Sequence, residues 1–182
     1  VLDPKDPNLG ENYQSHQPPL FYILEAGWVK VTGTDLESQS QGLKARALNL
    51  MIGAGTVLGA FFLGLWAFRK SEVGLFCAGF VALIPMNCAL SGALSNDPLL
   101  FCLCTWTLAL CAKGVADGFT VKLALLAGSL AGLAVLTKTT GVALLPILLL
   151  AAYLSRPKSL FKTNWIVALF ASWALFVFPW FI

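Results

Sequence analysis

The chain has 182 residues, 58% of them hydrophobic and only 12% charged, with a formal net charge of +3 and a mean hydropathy of +0.78. Soluble domains carry roughly 25% charged residues, so this composition excludes an ordinary water-soluble fold and makes lipid the expected solvent. A charge of +3, tied largely to the flanks of apolar runs, is also too small to indicate nucleic acid as a partner.

Residues 1–17 open the chain as a polar stretch with two Asp-Pro pairs, Asp3-Pro4 and Asp6-Pro7, and read as a loop. No signal-peptide pattern is present, and the sequence stops inside an apolar run at Trp180-Phe181-Ile182, so a piece of a longer membrane protein, cut at both ends, is expected. Pro18 suits the start of a helix. Beyond it, Leu20, Phe21, Ile23, Leu24 and Trp28 can form a stripe lying on a membrane surface. Residues 1–45 are thus expected to be an extracytoplasmic loop carrying a membrane-surface helix, and residues 46–182 a transmembrane helix bundle.

Six uncharged runs follow, at 47–68, 73–96, 98–112, 123–137, 139–155 and 163–182. A spanning helix needs about 20 apolar residues, within a range of roughly 17–25. The first, second and sixth runs meet that length easily. The third and fourth, at 15 residues each, can span if Lys113 and Lys122 carry their ammonium groups out to the interface, or else they form a re-entrant pair. The expected fold is an all-α integral membrane protein, a multi-helix bundle with about six spans. Gly55 with Gly59, and Gly128 with Gly132, are small-residue pairs suited to close helix packing. Gly53-Ala54-Gly55 superficially resembles a nucleotide loop, but it follows no strand and opens an apolar helix, which rules out a Rossmann site. Cys77, Cys88, Cys102, Cys104 and Cys111 lie in apolar runs without a Cys-x-x-Cys pair, remote from the single His16. They read as small buried hydrophobes, and no metal site is expected.

Basic residues give the orientation. Arg69, Lys70, Lys113, Lys122, Arg156, Lys158 and Lys162 flank connections on one side, while the opposite connections between spans hold only Lys138. The positive-inside rule makes the first side cytoplasmic. Lys5, Lys30, Lys44 and Arg46 in the opening segment weaken that bias without reversing it. Trp165 and Trp180 fall near opposite ends of the sixth run, as interfacial tryptophans do.

Three polar motifs then share the outer side, each at the edge of an apolar segment: His16-Gln17-Pro18-Pro19-Leu20, Ser95-Asn96-Asp97-Pro98 and Leu136-Thr137-Lys138. His16-Gln17 is either a simple turn into the helix or a rigid rim presenting an imidazole and an amide to a substrate. Asp97 before Pro98 fits a helix N-cap followed by proline at the first helical position, and a carboxylate there can also accept bonds from a substrate hydroxyl. Lys138 runs against the charge bias in a tight turn over 137–141. It is either a snorkelling lysine or a cation held for a phosphate, helped by the neighbouring threonine hydroxyls.

The order and spacing of these motifs resemble the dolichyl- or polyprenyl-phosphate-sugar mannosyltransferase-like group of C-type membrane glycosyltransferases. The resemblance covers essentially the whole chain. It is carried by His16-Gln17-Pro18-Pro19-Leu20-Phe21-Tyr22, Ala82-Leu83-Ile84-Pro85-Met86, Leu94-Ser95-Asn96-Asp97-Pro98-Leu99 and Gly132-Leu133-Ala134-Val135-Leu136-Thr137-Lys138. It implies a multi-pass membrane enzyme that moves a sugar from a polyprenyl- or dolichyl-phosphate donor to an acceptor on the extracytoplasmic face. No cofactor is expected, the acceptor (protein, lipid or glycan) stays open, and the location is the plasma membrane if the source is bacterial. By motif match, Asp97 takes the place of the second family aspartate and is the expected catalytic residue. Lys138 takes that of the phosphate-side lysine, with His16, Gln17 and Asn96 beside it in substrate binding.

The resemblance also implies a leading acidic motif after a preceding transmembrane helix. Asp3 and Asp6 lie too close to Pro18-Pro19 to be that motif, so this piece alone is expected to be inactive. The chemistry suits the topology, since transfer from a lipid phosphate needs a base for the acceptor hydroxyl and positive charge for the departing phosphate. Soluble nucleotide sugars are cytoplasmic, so an outer site points to a membrane-borne donor. Two alternatives remain at this point. A secondary transporter places polar or charged groups at mid-membrane in broken helices, whereas the charges here lie at helix ends, and a non-catalytic membrane scaffold needs none of the three motifs.

Overall fold

A computed structural model describes residues 17–33, 42–155 and 164–181. Among these residues there is no strand. The elements are α1 (Leu20–Thr32), α2 (Gly42–Phe68), α3 (Ser71–Ala82), α4 (Pro85–Ser91), α5 (Asp97–Asp117), α6 (Val121–Thr137), a 3₁₀ helix (Thr139–Ala143), α7 (Leu144–Leu154) and α8 (Asn164–Phe181). The all-α membrane fold expected from the sequence is the fold observed. Phe76 (73% exposed), Phe80 (63%) and Leu175 (69%) are among many large apolar side chains on the outside. In water they would form uncovered patches far beyond those of a soluble monomer; in lipid they are in their own solvent.

The spans differ from the expected set in two places. Helices α2 and α5 are each long and apolar enough to cross a bilayer. The run 73–96, expected as one span, is instead two helices bent by 65° at a break. Pro85 has no N–H to continue α3, and Ile84 before it is extended (φ −68°, ψ 116°). The carbonyls freed at the break are re-capped locally, Val81 O by Asn87 Nδ2 (3.2 Å) and Ala82 O by Cys88 Sγ (3.1 Å). Run 98–112 becomes a 21-residue helix because α5 continues through Asp97, Lys113 and Asp117 at its ends. Lys113 folds over the Trp66 ring, 4.6 Å from its centroid. Within the described residues the run 163–182 is the apolar helix α8, and the runs 123–137 and 139–155 give the shorter apolar helices Val121–Thr137 and Thr139–Leu154.

Small residues let the helices approach. A Cβ added at Gly55 would meet Cys102 Sγ at 3.1 Å, and one at Gly59 would meet Thr105 and Trp106, so α2 lies close on α5. Helix α6 has Ala124, Ala127, Ala131 and Ala134 fully buried at three- and four-residue spacing. Its Gly132 faces Trp173 O and Phe176 of α8. Leu99, Leu100 and Leu103 of α5, Leu144 and Leu148 of α7, and Leu169 of α8 close the core around it.

Several side chains sit elsewhere than expected. Trp165 is buried and stacks on Phe119 (centroids 4.7 Å apart, planes at 8°), so it packs inside the bundle rather than anchoring at an interface. Phe21 of α1 turns into the core while Ile23 and Leu24 stay outside, so the surface stripe is narrower than expected. Of the cysteines only Cys111 is buried, and Cys88 is exposed; all five are free. Arg156, Lys158 and Lys162 lie outside the described residues, as does the side chain of Trp180.

The antiparallel run of α5 and α6 gives the bundle two distinct ends. One carries the α4–α5 turn, the start of α5 and the end of α6. The other carries Arg69, in the left-handed region at φ 59°, joined to Asp117 by an ion pair, with Phe119 and Trp165 stacked nearby.

Candidate active site

The first turn of α5 holds Asp97. Asn96 precedes it in a helical conformation (φ −77°, ψ −11°) and makes no side-chain cap, and Pro98 needs no donor at its position in the first turn. Asp97 Oδ1 accepts from Lys138 Nζ at 2.7 Å, and Oδ2 accepts from Ser95 Oγ at 3.1 Å. The same Ser95 Oγ accepts from the Asp97 backbone N–H at 3.2 Å. The N-cap reading of Asp97 is therefore replaced: its carboxylate serves a lysine and a serine, not the helix N–H groups. Its place in the first turn still suits the helix dipole.

Lys138 is delivered by the way α6 stops. Its own N–H closes on Ala134 O (3.0 Å), but its backbone is extended (φ −158°, ψ 136°), and its carbonyl accepts from Gly141 N at 2.8 Å. Gly141 lies against the α6 backbone, where a Cβ would stand 2.5 Å from Ala134 C, so only glycine lets the 3₁₀ helix fold back so tightly. Thr137 is fully buried and donates to Leu133 O (2.9 Å). Its hydroxyl is turned into α6 and does not assist Lys138 as expected, while Thr139 and Thr140 are exposed.

The third motif joins through amides. Asn96 Nδ2 donates to Gln17 Oε1 at 2.7 Å and lies 3.5 Å from Thr137 O. Tyr22 OH donates to the same Gln17 oxygen at 3.4 Å. Gln17, Asn96, Asp97 and Lys138 are thus brought to one end of the bundle by α1, α5 and α6. His16 lies outside the described residues.

Two residues were missed by the sequence reading. Asn49 of α2 is fully buried, and its Nδ2 donates to Ala93 O (2.5 Å) and Ser95 O (3.0 Å), while Oδ1 has no partner. Its signal was available, as an amide inside an otherwise apolar run. Glu25 of α1 has both carboxylate oxygens shielded and without a hydrogen-bond partner, and burial pushes its pKa up. It borders a groove of about 480 Å³ with Phe21, Tyr22 and Leu94. Its signal was that it is the only acid in the run 18–29.

Chemically, this end offers an ammonium and a carboxylate, each with capacity left over. Lysine has three N–H donors and a carboxylate about four lone-pair sites, so Lys138 can take up an anion without leaving Asp97. The Asp97 carboxylate can accept a hydroxyl beside it. The two side chains are 33% (Lys138) and 24% (Asp97) exposed, sheltered yet reachable.

No curated protein and no solved structure matches the chain. One family model does, over residues 15–182, a stretch that runs from the edge of the first polar motif through all the helices described. With that match over nearly its full length, the chain belongs to the dolichyl-phosphate-mannose-protein mannosyltransferase family of membrane glycosyltransferases.

Proposed function

We propose that the protein moves a sugar from a lipid-phosphate donor to an acceptor hydroxyl at the extracytoplasmic membrane face, with Asp97 and Lys138 at the reacting groups. The observation that carries this reading is the Asp97–Lys138 pair at 2.7 Å, which couples a hydrogen-bond acceptor to a cation at one end of the bundle. The acceptor oxygen attacks the anomeric carbon, the bond from that carbon to the phosphate oxygen breaks, and the hydroxyl proton passes to a carboxylate. Asp97 holds the acceptor hydroxyl. Lys138 stabilises the phosphate, which gains charge as the bond breaks, so its contribution is larger in the transition state than in the ground state. Gln17 and Asn96, already bonded to each other, form the polar rim, and the adjacency of His16 to Gln17 in sequence supports a share for it in substrate binding.

On this reading residues 1–45 lie outside the cytoplasm with α1 on the membrane surface, and residues 46–182 form the bundle. The basic residues Arg69, Lys113 and Lys122 belong to the end opposite Asp97, as the positive-inside rule requires of a cytoplasmic end. The family's name gives a dolichyl-phosphate mannose donor and a protein acceptor; a lipid-phosphate sugar and an acceptor hydroxyl are the features this site chemistry asks for. A transporter is less well supported. The α3–α4 break holds no ionisable residue between Ala82 and Pro85, and Asn87 and Cys88 bond two of its carbonyls.

The test is transfer from a radiolabelled polyprenyl-phosphate sugar by the full-length protein, with donor binding measured separately. Lys138→Met is expected to lose most transfer, and Lys138→Arg to keep part of it, because arginine retains the charge in a broader planar shape. Unimpaired transfer by Lys138→Met overturns the phosphate role.

A further inference from the structure

We infer that Asn49 is a positioning residue for the Asp97–Lys138 pair, acting through Ser95; the inference rests on the glycosyl-transfer reading above. Asn49 hydrogen-bonds to neither charged group. Its two amide hydrogens go to the carbonyls of Ala93 and Ser95, on either side of Leu94 in the turn that leads into α5. Both partners are carbonyl oxygens, which can only accept, so the amide has one possible orientation. Its nitrogen must face the turn, and Oδ1 is left buried without a partner.

That arrangement is informative because an apolar residue would avoid the orphaned oxygen but abandon two carbonyls. One turn further along α2, Gly53 lies so close to Ser91 that an added Cβ would meet its side chain. Residues Asn49 and Gly53 therefore form one face of α2, pressed against the 91–95 segment at two points. Ser95 then carries the restraint onward. Its carbonyl is held by Asn49, while its hydroxyl donates to Asp97 Oδ2 and accepts from the Asp97 N–H. The position of the carboxylate relative to Lys138 is thus referred to the long helix α2 rather than to the short α4. Small misplacements of a reacting group, of about 1 Å, can lower turnover ~100-fold, which is the sensitivity such a restraint protects.

The test uses the full-length enzyme with Asn49→Ala, Asn49→Ser and, as control, Thr56→Val. Thr56 is buried on the same helix, and its hydroxyl bonds back to Ile52 O and pairs with the Cys102 side chain of α5, not with the 91–97 segment. Turnover per folded molecule is expected to fall ~10–100-fold in Asn49→Ala with little change in donor KM. Asn49→Ser, which keeps one donor, should fall between Asn49→Ala and wild type. Hydrogen exchange in residues 92–97 should rise in Asn49→Ala and not in Thr56→Val. Adding Ser95→Ala to Asn49→Ala should cause little further loss, as expected for residues in one relay. Wild-type turnover per folded molecule in Asn49→Ala, with stability lowered as in Thr56→Val, overturns the inference. Where Asn49→Ala does not accumulate, the same comparison is made with Asn49→Ser. If Asp97→Asn is inactive while the Asn49 variants are fully active, the positioning role alone fails. If the wild-type enzyme transfers no sugar, the functional reading fails, and hydrogen exchange decides the remainder: unchanged protection at 92–97 overturns the restraint, and lost protection supports it.

Discussion

Lys138 Nζ and Asp97 Oδ1 meet at 2.7 Å although 41 residues separate them, because the end of α6 lies beside the first turn of α5. Neither charge is free at rest. A substrate that reaches one must be read by both, so the pair should behave as a unit in mutational experiments.

Asp97→Asn keeps the shape and removes the charge. It should cut transfer by ~100-fold, the loss seen when one preorganised electrostatic group is removed. The thermal midpoint should move little, because a pair with this exposure contributes only about 1 kcal/mol. The double variant Asp97→Asn with Lys138→Met should be scarcely slower than the slower single variant. Losses that multiply would mean two independent roles.

The sequence made the helical membrane class, the Gly55/Gly59 and Gly128/Gly132 contacts and the shared end of the motifs legible, since periodicity and composition are local. The α3–α4 bend was less visible. Pro85 was in plain sight, but an uncharged run hides where its helix breaks. Pairing was hidden altogether, because Lys138 and Asp97 were each read separately, the one as a snorkelling or phosphate-holding cation and the other as a cap or substrate-contacting carboxylate. Only the antiparallel approach of α5 and α6 shows that each has the other as its partner. Asn49 itself was legible as an amide in an apolar run, but its role was not: its partners are carbonyls 44 and 46 residues away, and carbonyls leave no trace in a sequence.

Gly128 tests the packing of α6 on α8. A Cβ there would run into Leu169 O and Ser172 Oγ, and the backbone oxygen cannot swing aside. Gly128→Ala should destabilise by about 1–3 kcal/mol, the usual penalty for overpacking. Gly79→Ala is the control, since nothing lies within 4 Å of its added Cβ. Equal thermal midpoints for the two variants in the same detergent would remove the close contact.

Glu25 predicts a pH effect. Burial raises its carboxyl pKa above the ordinary 4.5, so the folded chain holds this proton at pH values where the unfolded chain has lost it. Stability from this group must then fall as pH rises from the unfolded value through the folded one, and the full penalty is present above both. Glu25→Gln removes the titration. It should be more stable than wild type at about pH 8 and closely matched to it at about pH 4. An advantage for glutamine that is the same at both values would show that desolvation of the charge is not its source.

The face of the membrane is the last test, and the donor argument depends on it. Leu94 and Thr140 are exposed at the end that holds Asp97 and Lys138, while Ser71 and Ala116 are exposed at the end that holds Arg69 and Asp117. In a background without the five native cysteines, Leu94→Cys and Thr140→Cys should react with a membrane-impermeant maleimide on intact cells. Ser71→Cys and Ala116→Cys should react only after permeabilisation. Arg69, Lys70, Lys113 and Lys122 supply the physical reason, since basic connections are retained on the cytoplasmic side. The reverse pattern would place the Asp97–Lys138 pair in the compartment where soluble nucleotide sugars are available. A membrane-borne donor would then no longer be required by location, and Lys138 would lose its lipid phosphate even if its variants remained inactive.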